Sequence, residues 1–136
     1  MAECVFCKII EGGIPAATLI ETDKVISFLD INPVNPGHAL VVPKRHVSSF
    51  LDLQQDELHV TIFIAKRVAA AVTEATESPA FNILQNTGES AGQLIDHVHM
   101  HVIPRSPDDG FELGWRQLEY EEGELEELQR AIEQRL

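Results

Sequence analysis

The stretch HVHMHVIPR, His97 to Arg105, sets three imidazoles at two-residue intervals and follows them with Val102, Ile103 and a proline. In an extended strand the side chains at i, i+2 and i+4 point to one side. His97, His99 and His101 then share one face, and Val98, Met100 and Val102 share the other. The apolar face has a simple duty, packing on a helix. The imidazole face needs a further reason, because clustered histidines desolvate one another and repel when protonated, and such titratable clusters concentrate at functional sites. Two chemistries fit. A metal site asks for neutral imidazoles converging on one ion, commonly with a carboxylate or thiolate beside them. Nucleophilic catalysis asks for one imidazole with a free lone pair, its other nitrogen pinned by a hydrogen bond. The isolated His59 reads as an ordinary histidine of a helix surface.

Outward from this strand the periodicity changes several times. Cys4 to Ile10 suits a helical turn, and Thr18–Glu21 with Val25–Leu29 reads as a β-hairpin. DINPVNPGH, Asp30 to His38, is a shaped loop whose prolines exclude both helix and ladder. ALVVP, Ala39–Pro43, is apolar on both faces and so predicts a central strand. From Asp52 to Thr76 the apolar residues Leu58, Ile62, Ala65, Ala69 and Val72 recur at three and four, predicting a long helix. Asp52 and Gln55 resemble its capping box. AFNILQ, Ala80 to Gln85, returns to strand alternation, and Asn86 to Gln93 is a turn of small residues. Leu125, Leu128, Ile132 and Leu136 predict an amphipathic terminal helix in an acidic tail running from about residue 117 to 136. Strands, a helix and further strands joined by short connections predict an α+β fold, with a mostly antiparallel sheet covered on one face by the long helix.

The chain's 136 residues suit one domain, with a core over 4–105 and the helical tail beyond it. Hydrophobic residues make up 44% and charged residues 24%, as in a globular protein. The net charge of −12 argues against nucleic-acid binding, which needs clustered cations; Glu119 to Leu136 alone holds seven Glu against two Arg. No apolar run is long enough for a membrane span, and MAECVFCKII, with the acidic Glu3, lacks a signal-sequence pattern, so the expected location is the cytoplasm. Cys4 and Cys7 form a single C-x-x-C, which alone is ambiguous between a redox pair, half a zinc site and buried cysteines.

Four blocks carry a resemblance. HVHMHV-I fits H-φ-H-φ-H-φ-φ, with φ apolar, and together with Cys4–Ala16, Ser27–Val47 and Asn86–Gln93 it resembles the histidine triad (HIT) family in order and spacing. The resemblance implies the HIT fold, with five strands, a long central helix and a C-terminal helix. It also implies a nucleotide hydrolase or transferase acting at the α-phosphorus of NMP-X substrates. The middle histidine, His99, would attack and form a nucleotidyl-imidazole that water hydrolyses. An imidazole, largely neutral at pH 7, suits that role, and no metal is required for it. His101 resembles the histidine that contacts phosphate. His97 resembles the one whose carbonyl orients the nucleophile, and His38 resembles a supporting fourth histidine. Asn86 with the Gly92 and Gln93 backbone matches the phosphate loop, its amides serving as neutral donors in an acidic protein. Phe6, Ile10, Phe28, Asp30 and Ile31 match the base and sugar side of a purine nucleoside, where the Asp30 carboxylate can accept from both ribose hydroxyls; its plainer alternative is a turn residue. Leu94 departs from the pattern, standing where many relatives carry a hydroxyl. Some bacterial members hold a structural zinc at positions matching Cys4, Cys7, His46 and His97, and members are commonly homodimers. The resemblance favours a purine nucleoside phosphoramidase of bacterial type. A dinucleoside polyphosphate hydrolase, or a nucleotide-binding regulatory protein with weak turnover, are its alternatives.

Overall fold

The structure is a computed structural model describing residues 4–136. Met1 to Glu3, the head of the stretch read against a signal sequence, lie outside the described residues. The elements are α1 (Val5–Ile10), β1 (Thr18–Glu21), β2 (Val25–Leu29), β3 (Ala39–Pro43), α2 (Gln55–Thr76), β4 (Ala80–Gln85), β5 (Met100–Arg105) and α3 (Glu124–Glu133). The strands form one sheet in the order β1-β2-β3-β5-β4, every pairing antiparallel. This is the expected α+β architecture. Among the described residues no helix is long and apolar enough to cross a membrane.

β3 is central, and every one of its residues is buried, as an all-apolar strand covered on both faces should be. Its alternation divides two cores. Ala39 and Val41 face α2, where they join Val25, Met100, Val102, Ile64, Ala65, Val68, Ala69 and Val72. Leu40 and Val42 point the other way and join Ile26, Phe28 and Phe6 of α1. The register pairs Leu40 with His101 across the β3–β5 ladder, which places His101 on the α1 side of the sheet. α2 and α1 thus cover opposite faces, and the histidine chemistry lies on the face with the smaller cover.

Several boundaries differ from the sequence expectation. α2 begins at Gln55 after a separate 3-10 turn over Phe50–Asp52. Its capping carboxylate is Glu57, whose Oε1 accepts from the Gln54 N–H at 2.8 Å, so the Asp52/Gln55 box is not formed. Glu57 is held there by Arg45, which donates to both of its oxygens. The inner stripe of α2 runs through Thr61, Ile64 and Val68, and Ile62 is half exposed; the α2 pattern reads inward only when Thr61, bonded back to the Glu57 carbonyl, is counted as a core residue. β5 starts only at Met100, so His97 and His99 precede the strand, in its lead-in: His97 closes a bend with its N–H on the Ile95 carbonyl, and the Val98 N–H bonds to the Val47 carbonyl. Met100 and Val102 pack on α2 as expected, while Val98 is buried outside that cluster. The terminal helix is shorter than the tail from about 117 implied. It starts after Gly123, whose φ of 82° lies outside helical geometry, and its Leu125, Leu128 and Ile132 are exposed.

The loop ahead of β3 depends on Gly37. Its φ is +92°, and a Cβ there would lie 2.8 Å from Thr76 Cγ2, so both conformation and space demand glycine. This turn delivers His38 to the start of β3, almost fully buried.

Candidate active site and metal centre

The lead-in and β5 send their three imidazoles in two directions. His99 and His101 line a cavity of about 550 Å³, shared with Phe6 and Ile9 of α1, Phe28, Asp30, Ile31, Leu40, Asn86, Gly92, Leu94 and Ile95. His97 faces the N-terminal cysteines instead.

The hydrogen bonds fix the tautomers, since a carbonyl can only accept. His99 donates from Nδ1 to the His97 carbonyl at 2.7 Å, which leaves its Nε2 with the lone pair. Val34 N–H donates to His38 Nδ1 at 3.0 Å, so the neutral His38 carries its proton on Nε2. That proton points at His101 Nδ1, 3.0 Å away, and His101 in turn carries its own on Nε2. All three rings stay neutral near pH 7. Burial pushes His99 and His38 down from the usual imidazole value, and burial with the neighbouring His99 and His38 pushes His101 down to about 4. Asp30 Oδ2 lies 3.6 Å from His38 Nε2 and favours its protonation, but burial is the larger effect. Asp30, His38 and His101 stand close enough together for an ion. The Val34 N–H, however, commits His38 to a protonated Nε2 facing the other two groups. Val34, His38 and His101 therefore form a hydrogen-bond chain, with Asp30 beside it as a nearby charge, and the trio is not arranged as a metal site.

The remaining expected residues divide. Phe28 and Phe6 are buried at the cavity wall, whereas Ile31 is 88% exposed at its rim. Asp30 accepts the Asn32 N–H on Oδ1 at 2.9 Å, a turn bond that leaves its other oxygen toward His38. Ile10 packs into the core under α1, and it is Ile9 that reaches the cavity. The Gly92 and Gln93 amides are not free donors: they bond to the Glu89 and Gly88 carbonyls inside the loop. The Gln93 side chain is also spent on that loop, accepting from Gly88 N–H and donating to the Ser48 and Ile95 carbonyls. Gly92 has φ +94°, and the position of its missing Cβ faces the Asn86 amide at 3.6 Å, so Asn86 and Gly92 meet at the cavity. Leu40 and Ile95 were not foreseen as cavity residues. The alternation of ALVVP could have found Leu40, which shares a face with His101.

The second direction is a thiol–imidazole cluster. Cys4 is the N-cap of α1, its Sγ accepting the Cys7 N–H, so one helical turn brings both sulfurs together. Cys4 Sγ lies 3.3 Å and Cys7 Sγ 3.7 Å from His97 Nδ1, and Cys7 Sγ lies 3.3 Å from His46 Nδ1. A tetrahedral zinc with Zn–S of about 2.3 Å and Zn–N of about 2.0–2.1 Å sets S and N about 3.5 Å apart, so these spacings are the edges of such a tetrahedron. His97 is prepared for it: Nε2–H donates to the Pro43 carbonyl at 2.7 Å, leaving the lone pair on Nδ1. Burial and the adjacent Cys4 thiol push the Cys7 thiol up, so a cation is what would favour the thiolate here. The four side chains fit a structural zinc.

Comparison with known proteins agrees with this geometry. The HIT domain pattern matches residues 11–108. Adenosine 5'-monophosphoramidase HNT1 of Saccharomyces cerevisiae is 42% identical over 132 residues, covering 96% of this chain and 81% of that protein. The crystal structure of a HIT family member from Bacillus subtilis superposes with a TM-score of 0.93 at 37% identity, covering 98% and 97% of the two chains. A zinc-bound histidine triad family protein from Mycobacterium smegmatis superposes with a TM-score of 0.75 at 33% identity, covering 98% and 95%. With the domain match, the shared fold and the three histidines in their places, the chain belongs to the histidine triad (HIT) family.

Proposed function

We propose that this protein is a nucleotide hydrolase that cleaves NMP-X substrates of the adenosine or guanosine 5'-phosphoramidate type through a covalent nucleotidyl-His99 intermediate. One observation carries the reading: the His97 carbonyl holds the Nδ1–H of a neutral His99, leaving the Nε2 lone pair on the cavity side. In the first step Nε2 attacks the α-phosphorus and the P–X bond breaks. The leaving group departs with the bonding pair and takes a proton from solvent. In the second step water attacks the phosphorus and gives up a proton to solvent, Nε2 leaves with the bonding pair as a neutral imidazole, and the nucleoside monophosphate is released. His101, with its proton on Nε2, donates to a phosphate oxygen as a neutral group, and the His38 proton keeps it in that tautomer. Asn86 supplies a second neutral donor. Asp30 accepts from the ribose hydroxyls, and Phe28 with Ile31 borders the base. The name of the yeast relative supports the substrate class.

Zinc held by Cys4, Cys7, His46 and His97 belongs to the same reading as a structural ion. Such a set is closed, leaving no position for substrate. A cytoplasmic location accords with a free C-x-x-C in that arrangement. A homodimer accords with β4 at the sheet edge, where Phe81 and Ile83 are exposed, and with Ile62 and Phe63 exposed on α2.

The test is incubation with adenosine 5'-phosphoramidate. The wild type is expected to release AMP and to carry a transient nucleotidyl adduct. His99→Ala is expected to lose about 10³-fold or more of the rate. Equal AMP release by the two proteins would overturn the nucleophile assignment.

A further inference from the structure

Phe6 stands where the two halves of the site meet. It lies on α1 between Cys4 and Cys7, and its ring is 5% exposed. It packs edge-to-face against His99, with centroids 5.1 Å apart and planes at 78°. It meets His97 in the same way at 5.8 Å and 76°, and Phe28 at 5.7 Å. The hydrogen bond to the His97 carbonyl anchors the His99 ring at Nδ1 but leaves it some freedom to tilt. Phe6 on one side and His101, at 4.9 Å on another, remove that freedom. Edge-to-face packing is orientational, so a ring can hold an imidazole at an angle where an aliphatic side chain of similar size cannot.

We propose that Phe6 is a positioning residue for the His99 nucleophile, and that metal bound by Cys4, Cys7, His46 and His97 acts on the reaction through it. The proposal rests on the reading of His99 as nucleophile. α1 has six residues, too few to be stable alone, and its place depends on what it packs against and on its two cysteines. A cation held by these four side chains would tie both ends of the C-x-x-C turn to His46 and His97, and Phe6 lies inside that turn beside Val5. The cluster therefore reaches His99 by two routes, the Phe6 ring and the His97 carbonyl. Nucleoside contact alone is a different role for Phe6, and the two separate kinetically. A lost binding contact raises KM and leaves kcat, whereas a misplaced nucleophile lowers kcat.

The experiment uses Phe6→Leu, which keeps an apolar side chain but not the ring, and Phe6→Ala, each assayed with adenosine 5'-phosphoramidate before and after chelation of metal. The ¹⁵N resonances of the His99 ring are recorded on the same proteins without substrate. Phe6→Leu is expected to keep its zinc, to lose about tenfold in kcat with KM changed less than about twofold, and to show altered His99 signals. Chelation should lower wild-type kcat by at least a similar factor and lower that of Phe6→Leu by less, the remaining effect passing through the His97 carbonyl. A raised KM at unchanged kcat would overturn the positioning role. Fully multiplicative losses from substitution and chelation would overturn the route through Phe6. If the wild type releases no AMP, the reading of the reaction fails on its own. His99 resonances unmoved by both Phe6→Leu and chelation then overturn the positioning role as well. Should Phe6→Ala not fold, Phe6→Leu decides alone.

Discussion

One backbone carbonyl, that of His97, selects which nitrogen of His99 is free, and the rest of the site keeps that choice meaningful by keeping the rings uncharged. His101 titrates in an unfolded chain near 6.5 and in the folded protein near 4. Between those values the unfolded state binds the additional proton, so stability rises with pH. The His101 contribution is complete above about 6.5 and is lost as pH falls toward 4, with a slope approaching 1.4 kcal/mol per pH unit. Chemical denaturation at pH 7, 6 and 5 should show a steeper loss for the wild type than for His101→Asn; equal slopes would count against it. His99 is pushed the same way, so the acid limb of kcat/KM should lie below the ordinary imidazole value. The identity of these residues was legible from their spacing and from the family resemblance. What spacing could not supply was the direction of each ring: His97 turns to the cysteines because Pro43 of β3, more than fifty positions away in sequence, offers its carbonyl.

At the scale of elements, β1 to β4 fall where alternation and turn residues put them. β5 does not, since the triad reads as continuous strand while only its last member is in the ladder. A period of two says where side chains point if the segment is extended, and it says nothing about whether a neighbour is there to pair with. The same limit explains the loop amides of Gly92 and Gln93: their residue types matched, but the 3-10 turn over Glu89–Ala91 consumes their hydrogens. α2 misleads differently, because a threonine at a core position and a capping glutamate paired with Arg45 are invisible to an apolar count. The Gly37 turn yields a sharp expectation. Gly37→Ala must strain a positive φ and push against Thr76 on α2, so it should cost about 2–4 kcal/mol in thermal or denaturant unfolding. A loss below about 0.5 kcal/mol would contradict that geometry.

For the molecule as a whole, the exposed apolar side chains include Phe81 and Ile83 on β4 and Ile62 and Phe63 on α2. If these side chains join two copies, Ile83→Lys or Phe63→Asp should shift the mass measured by light scattering from dimer to monomer. Wild type at monomer mass would remove the dimer. Sequence alone could not choose the surface, since exposure of an apolar residue is a tertiary property. The cysteine–histidine cluster has a further consequence, in the time domain. It joins Cys4 to His97 across 93 positions, and contacts that distant are costly to close early in folding. Interactions absent from the folding transition state alter the rate of unfolding and leave the rate of folding nearly unchanged. Zinc should therefore lower the unfolding arm of a chevron plot while leaving the refolding arm in place. Its effect would then be to lengthen the lifetime of the folded protein, with little influence on how fast the protein folds.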